Sequence, residues 1–276
     1  MPSRSYSEYR GVPTHQALFM SFDLETTGIN PSQDRIVQMG VSYFRNRRCI
    51  QQHKQMFNPQ VPIPEPASKV HGIYDQMVQS SPTLAEFLPR LYRHFTNQVI
   101  TPPSPLVITG YNIVGYDLPL FQAEIQRSLV EFPDLEELPR LDLIFFVRWF
   151  LRHEKKQKLT DICERFGVSL DQAHDALADA RVCGFLLNCF LDSGYLPPTL
   201  DEALKFHDFI KEKQEAEYKR YKRWFYNDRQ TGELCFGQGK HLGKPLSSVD
   251  SGYFKYLLDK MDNLSPAVKE ICQQRI

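Results

Sequence analysis

The chain has 276 residues, 42% apolar and 24% charged, an ordinary balance for a folded protein and enough for one large domain with an appendage. No apolar run approaches the roughly 20 residues that span a bilayer, which argues against a membrane protein. With 33 basic and 33 acidic residues the formal net charge is zero, so any polyanionic partner needs local cations or bound metal ions.

Residues 1–16 are polar, lack the apolar segment of a secretory signal and read as a loosely packed arm. Residues 17–24 read as a buried strand. A Gly, Asn, Pro, Ser, Asp turn over 28–34 leads to a second strand over 35–44. Residues 45–48 make a basic hairpin and 49–57 a third strand, so the chain opens with a meander. Residues 58–66, with four prolines, form an irregular crossing. A helix over 83–96 and a short strand over 106–111 follow. Further helices are predicted over 118–130, 142–153, 158–166 and 174–192. Strands first and helices after fit an α/β layered domain with a mixed sheet. Tyr195-Leu196-Pro197-Pro198 marks the expected domain boundary. Beyond it lie a charged helical linker over about 200–224 and a small module to residue 276. None of the six cysteines forms a C-x-x-C pair. Cys163, Cys183 and Cys189 lie in apolar helical patterns and read as buried free thiols, which points to a reducing, cytoplasmic compartment.

The chemistry concentrates in acidic residues. Asp23 and Glu25, two apart on the first strand, point to one face. Two like charges a few Å apart need a proton or a metal ion between them, and oxygen ligands suit Mg²⁺ or Mn²⁺. A solvated acidic turn is the plainer reading of that pair alone. Asp117 precedes a helix with an early proline and reads as an N-cap, a role that leaves one carboxylate oxygen for a cation. Asp179 sits among alanines and larger apolar residues, where a charge needs a partner, a metal or an exposed face. His174 lies five residues before Asp179, about 140° away around an ideal helix. It is therefore expected at or before the helix start, where an imidazole can serve as a general base.

In order and spacing, D-x-E-T-T-G, N-x-x-x-Y-D and H-x-x-x-x-D resemble the DEDDh subgroup of the DnaQ-like (DEDD) 3′–5′ exonucleases. Val70-His71-Gly72-Ile73 is similar to an H-G-I element of that family, and Lys158 to Cys163 to its segment before the last motif. The resemblance covers residues 17 to 192. It implies an RNase H-like fold with a five-stranded mixed sheet flanked by helices, in an exonuclease domain over 17–195. It further implies two Mg²⁺ or Mn²⁺ ions per site held by Asp23, Glu25, Asp117 and Asp179, with His174 as the base. Leu24, Thr26, His71, Ile73 and Asn112 are the expected contacts to the 3′-terminal nucleotide. For Leu24 and Ile73 ordinary packing is the alternative, and for Asn112 bracing of the loop before Asp117. The implied partner is nucleic acid with a free 3′ end. DNA is favoured and RNA stays open, as do a homodimer, a polymerase or repair partner, and a non-catalytic binding role.

The C-terminal run Phe236-Gly237-Gln238-Gly239-Lys240-His241-Leu242-Gly243-Lys244 is similar to the tail module of exodeoxyribonuclease X-like proteins. Its lysines fit phosphate contact; a glycine-rich hairpin with solvated lysines fits as well. Lys219 to Trp224 reads either as a basic, aromatic strip for single-stranded nucleic acid or as a solvated helix with ion pairs one turn apart.

Overall fold

The apolar run that begins at Ala17 becomes β1 (Leu18–Thr26), the central strand of the sheet. The computed structural model describes residues 5–100, 105–133, 135–154, 156–171, 173–228, 230–261 and 264–276. β1 pairs antiparallel with β2 (Ile36–Arg45), and β2 antiparallel with β3 (Arg48–Met56), which realises the meander. β4 (Leu106–Gly110) then pairs parallel with the other edge of β1, and β5 (Arg140–Asp142) parallel with β4. The order β3-β2-β1-β4-β5 gives the five-stranded mixed sheet that the sequence implied.

β1 is buried along almost its whole length because helices cover both of its faces. Leu18, Met20, Phe22 and Leu24 pack with residues of α3 (Leu84–Ile100) and α4 (Asp117–Ser128). The alternate residues, Asp23 and Glu25 among them, face α7 (Ala176–Asp192). Two glycines allow α7 its close approach. A Cβ on Gly40 would stand 2.2 Å from the Ala176 carbonyl, and one on Gly184 would stand 2.1 Å from the Phe44 ring. β3 is the exposed edge, and its polar side chains suit that position.

The crossing after β3 holds two short helices absent from the sequence reading, α1 (Glu65–His71) and α2 (Asp75–Val78). α5 (Leu143–Phe150) and α6 (Leu159–Phe166) complete the helices before α7. Cys163 and Cys183 are buried, whereas Cys189 is only half-buried on α7.

The chain divides into two compact units, residues 1–208 and 209–276. The expected boundary at Tyr195–Pro198 lies earlier. Leu196, Leu200, Ala203 and Leu204 are buried, so the first core continues past the two prolines into α8 (Leu200–Trp224). Of the expected arm, residues 1–4 lie outside the described residues. The rest is tied down rather than loose, because its polar groups find partners near the end of the first unit. Tyr6 Oη donates to Asp208 at 2.7 Å, and Thr14 N donates to the Pro198 carbonyl at 2.8 Å. In the second unit, β6 (Phe225–Asn227) and β7 (Leu234–Phe236) form a hairpin. Around it α9 (Ser251–Lys260) and α10 (Pro266–Gln273) build a core on Phe225, Phe236, Phe254 and Leu257.

Candidate active site

The site forms where β1 runs on past the end of β4. The chain leaves β1 toward β2 and returns through β4 on the opposite edge, which opens a crevice at the strand ends. β4 stops at Gly110, so the Leu24 N–H beyond it lacks a strand partner on that side. Asp117 Oδ1 accepts from it at 3.0 Å. Asp117 thus crosslinks the start of α4 to β1. It is the first residue of α4, and no side-chain cap bond is made at Tyr116 before it, so the N-cap reading gives way to this crosslink.

The loop before Asp117 is held by a carboxylate that the sequence reading missed. Asp142, fully buried, accepts from Asn112 N at 2.7 Å, Val114 N at 2.9 Å and Ile144 N at 3.2 Å. Asn112 itself takes a left-handed backbone, φ 66°. Its carbonyl accepts from Gly115 N and Tyr116 N, so the residue shapes this loop. Tyr116 Oη then meets Thr26 Oγ1 at 2.5 Å, and Thr26 Oγ1 donates to the Gly28 carbonyl at 2.6 Å.

On the other face, β2 locates the start of α7. Gln38 Oε1 accepts from Ala176 N at 2.8 Å, and Gly40 lies opposite Asp23 in the strand register. Asp175 caps α7, accepting from Leu177 N and Ala178 N, and pairs with Lys54 at 2.9 Å. His174 stands just before the helix at φ 66°, exposed, and its N–H donates to Asp179 Oδ2 at 3.1 Å. The expectation that His174 lies off the helix is met. The strained backbone there turns the chain so that the imidazole and the Asp179 carboxylate come together despite their different helical phase. Ligand atoms of Glu25, His174 and Asp179 lie within 4.8 Å of one another.

Electrostatically the centre is unbalanced. Burial raises the Asp23 carboxyl well above its usual range, and the Asp117, Asp179 and Glu25 charges add to this. Burial, then Asp179 and Asp117, push Glu25 up to about 8. Burial pushes Asp179 to about 6 against the opposing His174 N–H. Asp117 is raised by burial and then by Asp142, and the Leu24 N–H works against both. Among the described residues no lysine or arginine pairs with any of these four. Asp179 Oδ1 is buried with no hydrogen-bond partner. Converging carboxylates, a shortage of positive charge and one unpartnered buried oxygen fit a divalent cation.

Of the expected nucleotide contacts, the structure brings Thr26 and His71 to the site. His71 Nδ1 accepts from Ile73 N at 3.0 Å, so the neutral ring carries its proton on Nε2. Burial lowers the His71 pKa, the Thr26 carbonyl opposes that, and His174 adds to it. Leu24 and Ile73 are both 3% exposed, and each packs in a hydrophobic cluster. Asp142, Gln38, Gly40 and Tyr116 went unread in the sequence. A glycine inside a strand and polar residues inside apolar runs were the available signals.

A buried acidic centre on an RNase H-like sheet defines a class of metal-assisted hydrolases. The Exonuclease family model, RNase_T, matches residues 20–187, and the chain belongs to this family, that of the DnaQ-like (DEDD) 3′–5′ exonucleases. A DNA polymerase III PolC-type of Clostridium perfringens is 24% identical over 169 residues, 61% of this chain and 11% of that protein. One from Streptococcus pyogenes serotype M1 is 27% identical over 177 residues, 64% of this chain and 11% of that protein. The chain thus spans about a tenth of the length of these curated relatives. In fold it is similar to the zinc-bound E. coli ExoI–ssDNA complex, with a TM-score of 0.54 and 20% identity over 75% of this chain and 44% of that one. It is also similar to a 3′-exonuclease that recognises a histone mRNA stem-loop, with a TM-score of 0.54 and 16% identity over 65% of this chain and 84% of that one. Among the described residues no helix is long and apolar enough to cross a membrane.

Proposed function

We propose that the chain is a metal-dependent 3′–5′ exonuclease that releases nucleoside monophosphates from the 3′ end of DNA, with His174 as general base. The observation that carries this reading is the meeting of Glu25, His174 and Asp179 within 4.8 Å, beside Asp23 and Asp117, with no opposing cation among the described residues. Asp23, Glu25, Asp117 and Asp179 would hold two Mg²⁺ or Mn²⁺ ions, whose chemistry is to lower the pKa of bound water and to neutralise phosphate and leaving-group charge. The His174 imidazole is exposed beside the acidic cluster and takes the proton of the attacking water at a ring nitrogen. The His174 backbone N–H, donating to Asp179, couples the position of this base to the position of the carboxylate. His71, pinned by Ile73 N, would turn its Nε2 proton from the Thr26 carbonyl to the terminal nucleotide. Thr26 stands beside that nucleotide's place at the end of β1, while Leu24 and Ile73 support the site from the core and Asn112 braces the loop before Asp117.

DNA is favoured by the PolC-type DNA polymerase III relatives and by the likeness to ExoI bound to single-stranded DNA. RNA is the second reading, supported by the likeness to the histone mRNA 3′-exonuclease. The test is digestion of 5′-labelled single-stranded DNA, duplex DNA and RNA in parallel, with Mg²⁺ or Mn²⁺. A ladder shortening from the 3′ end, strongest on DNA, is expected, and a 3′-blocked strand should resist. Efficient degradation of the blocked strand would overturn the reading, and a preference for RNA would select the second.

A further inference from the structure

The second unit, outside the family match, differs from the first in charge. Residues 209–276 hold 13 lysines and arginines against 9 aspartates and glutamates, an excess of four cations in a chain whose total is zero. The excess gathers at the end of α8, where Lys219, Lys222 and Arg223 are exposed. Ion pairing along the helix does not absorb them. Lys211 pairs with Glu215 at 3.5 Å, but among the described residues Lys219, Lys222 and Arg223 have no carboxylate partner. Lys222 lines an open groove of about 880 Å³ with Tyr218, Tyr221, Tyr226, Asn227 and Gln230 among others, and Lys219 and Arg223 are the chain neighbours of Tyr218 and Lys222. Tyr218 is 57% and Tyr226 38% exposed, large rings left in water where the core has no use for them. Lys222 Nζ sits 4.9 Å from the Tyr218 ring centroid. Among the described residues Asp228 is the one carboxylate lining the groove, and it is occupied by Gln230 N and Thr231 N, each at 2.9 Å.

We propose that this groove binds the body of a single-stranded nucleic acid, its bases stacking on Tyr218 and Tyr226 and its phosphates meeting Lys219, Lys222 and Arg223. Unpaired cations fit a polyanion, and exposed rings beside them fit unstacked bases, which a duplex does not offer. Asn227 and Gln230 add amide groups that suit any base edge. The choice of nucleic acid among polyanions rests on the exonuclease reading of the acidic centre.

The test measures anisotropy of a fluorescein-labelled single-stranded 20-mer on the full chain with EDTA present, so that binding is separated from cleavage. The double change Tyr218→Ala and Tyr226→Ala should weaken binding about tenfold or more. The double change to Phe should keep it, since the ring remains. Lys222→Ala should reduce the slope of log affinity against log salt by about one phosphate contact. Cleavage of a trinucleotide with Mg²⁺ should be unchanged in every variant, because so short a strand needs only the acidic centre. Wild-type 20-mer affinity in the double Ala variant would overturn the proposal, as would an equal loss in the double Phe variant. Binding of the 20-mer without cleavage of any nucleic acid would sink the exonuclease reading and leave this one standing.

Discussion

The two units treat charge in opposite ways. The first gathers four carboxylates of one sign around β1, Glu25, Asp117 and Asp179 buried and Asp23 half-buried, and leaves an Asp179 oxygen without a partner. The second exposes its surplus lysines and arginine to water. Exposed cations cost little when unpaired, because solvent screens them. Buried anions cost several kcal/mol unless something neutralises them. The contrast teaches that the acidic centre is incomplete as protein alone, whereas the basic face needs nothing to be stable.

The sharpest way to break that contrast is to remove one of the crowded charges. Asp23→Asn should bring 3′-terminal nucleotide release down to background and, with EDTA present, raise the melting temperature. Surviving activity, or a fall in melting temperature, would refute the account of the centre. His174→Ala should follow, with a loss of about 10²- to 10⁴-fold in turnover and an unchanged fold by circular dichroism.

Next comes pH. Glu25 is pushed to about 8 from an ordinary 4.5 and Asp179 to about 6 from 3.8. Between the ordinary and the raised values the metal-free folded protein binds more protons than the unfolded chain. Stability therefore falls as pH rises from about 4 to 8, by an amount on the order of a few kcal/mol. Melting in EDTA across that range should show the fall, and Mg²⁺ or Mn²⁺ should reduce it. A flat EDTA profile would show that the carboxylates do not strain the fold.

Gly40→Ala has a smaller effect on stability, about 1–3 kcal/mol, because its Cβ would collide with the Ala176 carbonyl. It should also lower turnover, since the start of α7 carries Asp179 and holds His174 just before it. The smallest effect belongs to the second unit. Replacing Lys219, Lys222 and Arg223 together by Ala should change stability by about 0.5 kcal/mol or less per site. A larger loss would mean that these cations do structural work after all.

Much of the fold was legible because it rests on short-range patterns. The apolar run of β1, the meander to β3 and the position of His174 before α7 all follow from periodicity and helical geometry. The five acidic and histidine candidates were legible from order and spacing. What stayed hidden depends on residues far apart in the chain. The Asp142 clamp on residues 112–114 exists only because β5 lies next to β4. Gln38 meets Ala176 across 138 positions. The burial of Leu196 to Leu204 shows that two prolines can interrupt a sequence pattern without ending a core.

By itself the sequence determined which chemistry is on offer: carboxylates at fixed spacings, one histidine off the helix phase, and a basic aromatic stretch near residue 220. Only the tertiary structure decided that Asp117 bonds to β1 instead of capping its own helix, and that Asp179 keeps an oxygen free. The physical reason is that β4 ends before β1 does. That leaves the Leu24 N–H for Asp117 and opens the crevice in which the carboxylates crowd. Strand lengths and register are set by packing of the whole sheet, and no local run of residues encodes them.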